Sequence, residues 1–173
     1  MGPWGFFPAG PSPRMRMALL ATTLFAATAM AGCSDDDKTV DVGGVQVRSI
    51  AIHIGWNEDG QGQYMEPSSI RVKQGDKVQF VVTNDDDPAK DYNGNKSGKD
   101  NFHDVALLDY DGDGDGIKET IEHEVPAGQT ETTSLKGKPY FVASEKGTFR
   151  IVCEVRTVPS HDALGMHAEF IVE

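Results

Sequence analysis

Beyond residue 44 the chain never sustains a 3.6-residue apolar period over ten residues; its apolar side chains come in short alternating runs separated by clusters of Gly, Pro, Asn and Asp. Alternation with period two sends successive side chains to opposite faces of a strand, so each run offers one face to a core and the other to water. In Lys77 to Thr83, Val78, Phe80 and Val82 alternate with Lys77, Gln79 and Thr83, and Gln74-Gly75-Asp76 separates this run from Ile70 to Val72. Val45 to Gly55, Phe102 to Leu108, Thr120 to Val125, Glu131 to Leu135, Gly147 to Glu154 and His167 to Val172 read the same way. Seven to eight short strands with turn signals between them predict an all-β, two-sheet Greek-key β-sandwich over residues 45–173, with polar loop insertions. Asn84 to Asn101 holds almost nothing suited to a core and reads as a surface loop. No internal repeat is visible.

The first 32 residues call for a different account. Arg14 and Arg16 precede the apolar run Met17 to Met30, which gives way to small residues before Cys33, the order of a secretory signal. The run is shorter than the ~20 residues of a spanning helix. Pro-rich residues ahead of Met15 place the expected translation start at Met15 or Met17. Met30-Ala31-Gly32-Cys33 resembles a bacterial lipobox, with Met30 where Leu is usual, and the resemblance implies that Cys33 carries lipid and becomes the new N-terminus. Residues 33–44 are then an acidic, lipid-anchored tether. Ser34 after that cysteine resembles an outer-membrane signal in a Gram-negative host. Ordinary cleavage nearby, leaving Cys33 a free thiol, is the alternative. Either way the protein is expected to be exported, and with lipid it is anchored to the membrane and faces the periplasm or the cell exterior.

Charge narrows the partners. The precursor has 16 Lys+Arg against 27 Asp+Glu, a net charge of -11. Residues 1–32 contain two arginines and no acid, so the remaining 141 residues carry -13. Such a surface repels phosphate backbones and excludes nucleic acid, while it complements a basic protein or a cation. Two cysteines in an exported protein would ordinarily pair. With Cys33 consumed by lipid, Cys153 is left to be buried, reactive or bound to a metal.

The C-terminal segment from Phe149 to Glu173 holds the candidate chemistry. Strand alternation points Phe149, Ile151 and Cys153 inward and Arg150, Val152 and Glu154 outward; in the last strand Met166, Ala168, Phe170 and Val172 share one face and His167, Glu169 and Glu173 the other. His161 lies in the loop between them. His103 shares a face with Val105 and Leu107, so a second imidazole points toward an apolar interior. Taken singly, each of these residues fits a core just as well. Together, one thiolate, two imidazoles and a weak thioether make the donor set of a type 1 copper site, with His103, Cys153, His161 and Met166 as ligands. His53 and His123 lack such company and read as surface residues.

In this order the residues resemble the cupredoxins, the family of plastocyanin and azurin: a His followed by Asp104, a Cys ending a strand, then His-x4-Met leading into the last strand. The turns at Gly75-Asp76-Lys77-Val78 and Pro126-Ala127-Gly128-Gln129-Thr130 resemble their counterparts there. The resemblance covers roughly residues 64–173 and implies a cupredoxin-like sandwich that binds one copper and moves single electrons. Seven residues separate Cys153 from His161 where the family has two to four, and Asp104 stands where many members have Asn. A basic redox protein such as a c-type cytochrome is the implied partner. No second copper-binding histidine cluster is visible, which argues against a multicopper oxidase or nitrite reductase and predicts that the chain is not an enzyme.

Asp111-Gly-Asp113-Gly-Asp115-Gly116 followed by Glu122 matches the oxygen-rich loop of EF-hand calcium sites. Asp111, Asp113, Asp115 and Glu122 are therefore candidate Ca²⁺ ligands, although flanking helices are missing and DG repeats also make ordinary hairpin turns. Three other functions share these residues. A copper carrier or sequestering lipoprotein would use the copper ligands, a non-catalytic calcium-stabilised surface module the acidic loop, and a hydrolase the Cys153 and His161 pair, for which the sequence shows no orienting third group.

Overall fold

The computed structural model describes residues 37–57, 62–90, 102–133, 138–155 and 159–173. The expected signal segment, the lipid site at Cys33 and residues 91–101 of the expected surface loop lie outside them. Among the described residues no helix is long and apolar enough to cross a membrane.

Among the described residues eleven strands form two sheets. In order they are β1 (Lys38–Val42), β2 (Val45–Trp56), β3 (Gln63–Glu66), β4 (Ser69–Val72), β5 (Lys77–Asn84), β6 (Phe102–Tyr110), β7 (Glu119–Pro126), β8 (Thr130–Thr133), β9 (Phe141–Val142), β10 (Gly147–Val152) and β11 (His167–Val172). One sheet runs β1-β2-β5-β8, with β3 paired to β2 and β9 to β5; the other runs β4-β11-β10-β6-β7. The expected two-sheet all-β sandwich is what forms. Each sheet also contains one parallel pair, β2 with β5 and β4 with β11.

Alternation explains most of the register. Along β5 the pattern of half-buried and buried residues is unbroken, with Val78, Phe80 and Val82 inside. Phe80 and Phe141 of the first sheet meet Tyr110 and Phe170 of the second in edge-to-face contacts with centroids 5.7–6.1 Å apart. This arrangement suits the ring quadrupoles and fixes the spacing of the sheets.

The sandwich starts earlier than residue 45. Lys38–Val42 pairs antiparallel with β2, so the tether expected over 33–44 yields to a strand from residue 38. Gly43 and Gly44 take φ values of 62° and 84°, as a two-residue hairpin turn requires, and Gly44 donates its N–H to Asp41 Oδ1 at 2.8 Å. Two further corrections concern burial. Val152, expected outside, is buried along with Ile151 and Cys153, because it sits in a central strand opposite buried Ala106 on one side and His167 on the other. Asn84 and Asp86, assigned to the surface loop, are also buried.

Candidate metal centre

Three strand ends and one loop bring the donors together. His103 is the second residue of β6, Cys153 directly follows β10, and His161 precedes a single 3-10 turn, Asp162–Leu164, that leads through Gly165 to Met166 and β11. Alternation turns His103 into the sandwich beside Val105 and Leu107, all of them buried. Cys153 is 2% exposed, His103 1% and His161 5%.

The distances describe a small triangle. His103 Nδ1 and His161 Nδ1 are 3.1 Å apart, Cys153 Sγ is 3.4 Å from His161 Nδ1 and 4.0 Å from His103 Nδ1. Metal–nitrogen bonds of about 2.0 Å and metal–sulfur bonds of about 2.3 Å, opened by 100–120°, give separations of about 3–4 Å, so one ion fits among the three atoms. Met166 is fully buried next to them, and its backbone is tied to both neighbours: its N–H donates to the His161 carbonyl at 3.1 Å and its own carbonyl accepts the Cys153 N–H at 3.2 Å. The Asp104 N–H donates to Sγ at 3.3 Å. Three of the residues expected as ligands, His103, Cys153 and His161, thus bring their donor atoms within 4.8 Å of one another, with the backbone of Met166 bonded to two of them.

Burial governs the protonation of the donors. It pushes the Cys153 thiol up to about 11, against the opposing hydrogen bond from the Asp104 amide. Burial, aided by neighbouring His103, lowers His161 to about 4. At neutral pH the metal-free site therefore holds a neutral imidazole at His161 and a protonated thiol; the former is already the ligand form and the latter must lose its proton to bind. The enclosed sulfur also leaves the hydrolase reading without an approach for a substrate.

Asp104 follows His103 on β6 and takes the opposite face. Its carboxyl shares a 4.8 Å cluster with Glu122 and Glu154. Burial first, then those two acids and Glu124, raise it to about 6.

Two residues escaped the sequence reading. Asp86 Oδ2 sits 2.8 Å from His103 Nε2, and its Oδ1 accepts the backbone N–H of Trp56 at 2.8 Å. The half-buried Trp56 ring stands edge-on to His161, with centroids 6.1 Å apart. Nothing in Asn84-Asp85-Asp86-Asp87 singles out one acid for burial. Trp56 does close the apolar run of β2, which marks it as packed against something. His53 is exposed and His123 half-buried, beside Asp85 at 3.0 Å and Glu131 at 3.6 Å.

The acidic loop is only partly as expected. Carboxylates of Asp111, Asp113 and Asp115 come within 4.8 Å of one another, but Glu122 groups with Asp104 and Glu154 instead. It sits on β7 opposite Ala106, where strand pairing carries it away from the loop, so the fourth ligand of the calcium reading is withdrawn. The loop oxygens cap its own backbone: Asp111 accepts from Gly114 and Gly116, Asp113 from Asp115, and Asp115 from Ile117. Lys138 reaches Asp113 at 2.5 Å and holds its carboxyl below the usual range.

No family model and no curated protein matches the sequence. Among solved structures, a multicopper oxidase resembles it with a TM-score of 0.51 at 19% identity, over 80% of this chain and 47% of that one, so the chain spans about half the length of that oxidase. A dithionite-reduced auracyanin from the photosynthetic bacterium Roseiflexus castenholzii has a TM-score of 0.46 at 18% identity, over 71% of this chain and 96% of its own. A copper nitrite reductase from Nitrosomonas europaea has 0.45 at 20% identity, over 72% and 41%. The two-sheet sandwich shares its fold with that multicopper oxidase. The expectation that the chain is not an enzyme is corrected by the same comparison. The fold is shared with a multicopper oxidase, so the lack of a second histidine cluster in the sequence does not exclude catalysis.

Proposed function

We propose that the protein binds one copper ion through His103, Cys153 and His161, with Met166 as the weak fourth donor, and passes single electrons. The observation that carries this reading is the buried triangle of two Nδ1 atoms and one Sγ, 3.1–4.0 Å apart, at the end of a cupredoxin-like sandwich. Soft sulfur with two imidazoles suits both Cu(I) and Cu(II), and bound copper would supply the one-electron step. The chain's own part is to hold the donors in place and exclude water. Each donor is fixed by backbone pairing or by a hydrogen bond, so little has to move when the charge of the site changes.

The partner that best fits a domain of net charge -13 is a basic redox protein such as a c-type cytochrome, docking more weakly as salt rises. Export and lipid attachment at Cys33 place it on the membrane, facing the periplasm or the cell exterior; labelled fatty acid incorporated into the wild type and lost in Cys33→Ala tests this. The copper reading is tested by the absorption spectrum of copper-loaded protein. An intense visible thiolate-to-copper charge-transfer band is expected, and a colourless cupric adduct overturns the reading.

A further inference from the structure

The ring of His103 has both nitrogens committed. Nδ1 faces Cys153 Sγ and His161 Nδ1, while Nε2 meets Asp86 Oδ2, and the side chains of His103 and Asp86 are each 1% exposed. Asp86 is itself held at both its carboxylate and its backbone. Its Oδ1 accepts the Trp56 N–H at 2.8 Å, and the Asp86 N–H donates to Asn84 Oδ1 at 3.1 Å. Asn84, fully buried, is anchored in turn by its Nδ2 donating to the Val125 carbonyl at 2.9 Å. Space for the carboxylate depends on Gly55, where a Cβ would come within 2.9 Å of Asp86 Oδ1 and 3.1 Å of the Tyr64 hydroxyl. A carboxylate can only accept at Nε2, so the ring proton lies there and Nδ1 is left with its lone pair directed at the other two donors.

We propose that Asp86 is the positioning residue of this site: it fixes His103 in the Nδ1-ligating tautomer, makes that imidazole a stronger donor, and thereby favours the cupric over the cuprous state. The inference rests on the copper reading above. A hydrogen-bonded carboxylate raises the basicity of a ligating imidazole, and the more highly charged ion gains more from it. The same carboxylate reaches the second imidazole indirectly. Its other oxygen holds the backbone of Trp56, whose ring meets His161, so one buried acid orients groups at both histidines.

The test compares full-length wild type with Asp86→Asn, whose side chain keeps the shape and loses the charge. In copper-free protein labelled with ¹⁵N, His103 of the wild type is expected in the Nε2-protonated tautomer and that of Asp86→Asn in a mixture of both. In copper-loaded protein the cupric-to-cuprous affinity ratio should fall at least tenfold, which is a rise of about 59 mV in potential. A wild type without the charge-transfer band sinks the copper reading and leaves the tautomer measurement to judge Asp86. A variant with its band intact and neither its tautomer nor its potential changed overturns the proposal alone. Should Asp86→Asn fail to fold, a wild-type His103 protonated at Nδ1 overturns it.

Discussion

Replacing Cys153 by serine separates the chemistry of the sulfur from its packing. The thiol is buried, accepts the Asp104 N–H at 3.3 Å and lies 3.4 Å from His161 Nδ1. A serine hydroxyl fits this space and keeps both partners, accepting from Asp104 and donating to His161. No buried polar group is orphaned, so the metal-free variant should lose about 1 kcal/mol, or about 3 °C in Tm for a domain of this size. The copper-dependent difference is larger. At a free copper concentration 100 times Kd, binding adds about 2.7 kcal/mol, close to 8 °C on the same scale, and serine forfeits most of that gain with the thiolate. Thermal melts of both proteins, with and without copper, read the two effects separately. The metal-free curves should lie within a few degrees of each other, and copper should raise only the wild type. A variant that keeps the copper shift and the charge-transfer band would place the essential donor elsewhere. A metal-free variant melting more than about 15 °C early would show that Cys153 is held by more than these two contacts.

Trp56→Leu removes the ring that stands against His161, and should slow electron exchange with a basic c-type cytochrome at least tenfold while leaving the spectrum unchanged; an unaltered rate constant in stopped-flow measurements excludes Trp56 from the electron path. Asp104→Asn removes an anion adjacent to His103, so the reduction potential should rise by the equivalent of about 1 kcal/mol, and a redox titration showing no rise refutes that electrostatic role. At pH 7, binding one cupric ion should release about one proton, from the thiol that burial holds near 11, with none from His161. An indicator dye that records no release means that Cys153 is not a ligand. Phe170→Ala empties a site bounded by Phe80, Tyr110 and Phe141 and should cost about 3–5 kcal/mol in urea denaturation; a loss below about 1.5 kcal/mol would show that this ring does not join the sheets.

The parts of the fold legible in the sequence are those where period-two alternation ran long enough to count. In β5 and β11 a single buried face settles the register, and His103, Cys153 and Met166 inherit their inward direction from such rows. Short strands were not legible. Phe141–Val142 is only two residues long, and β1 is strand because β2 lies beside it, since Lys38, Thr39 and Asp41 promise little by themselves. Polar residues buried for a specific partner were equally hidden. Asp86 is inside because His103 Nε2 and the Trp56 amide satisfy it, and a chain with Asp at 85, 86 and 87 does not show which of them has partners. Glu122 failed for the converse reason: spacing along the sequence suggested a calcium loop, and the pairing of β7 with β6 turned the residue toward Asp104.

The seven-residue interval between Cys153 and His161 is the feature of the sequence least like the cupredoxins it resembles, and the backbone shows how the site tolerates it. The Cys153 N–H reaches the Met166 carbonyl, and the Met166 N–H reaches the His161 carbonyl, so cysteine, methionine and histidine are linked across the base of the loop. Return to β11 is set by Gly165, whose φ of 110° and a Cβ position only 2.8 Å from the Gln63 carbonyl admit no side chain. One more N–H, that of Leu164, is shared between the Ser160 and His161 carbonyls and tightens the same turn. The positions of Cys153, His161 and Met166 are thus fixed by contacts at the foot of the loop, where the strands enter and leave. Loop-closure entropy rises only slowly with length, about 0.6 kcal/mol for each doubling, so the longer interval costs little as long as the base stays closed.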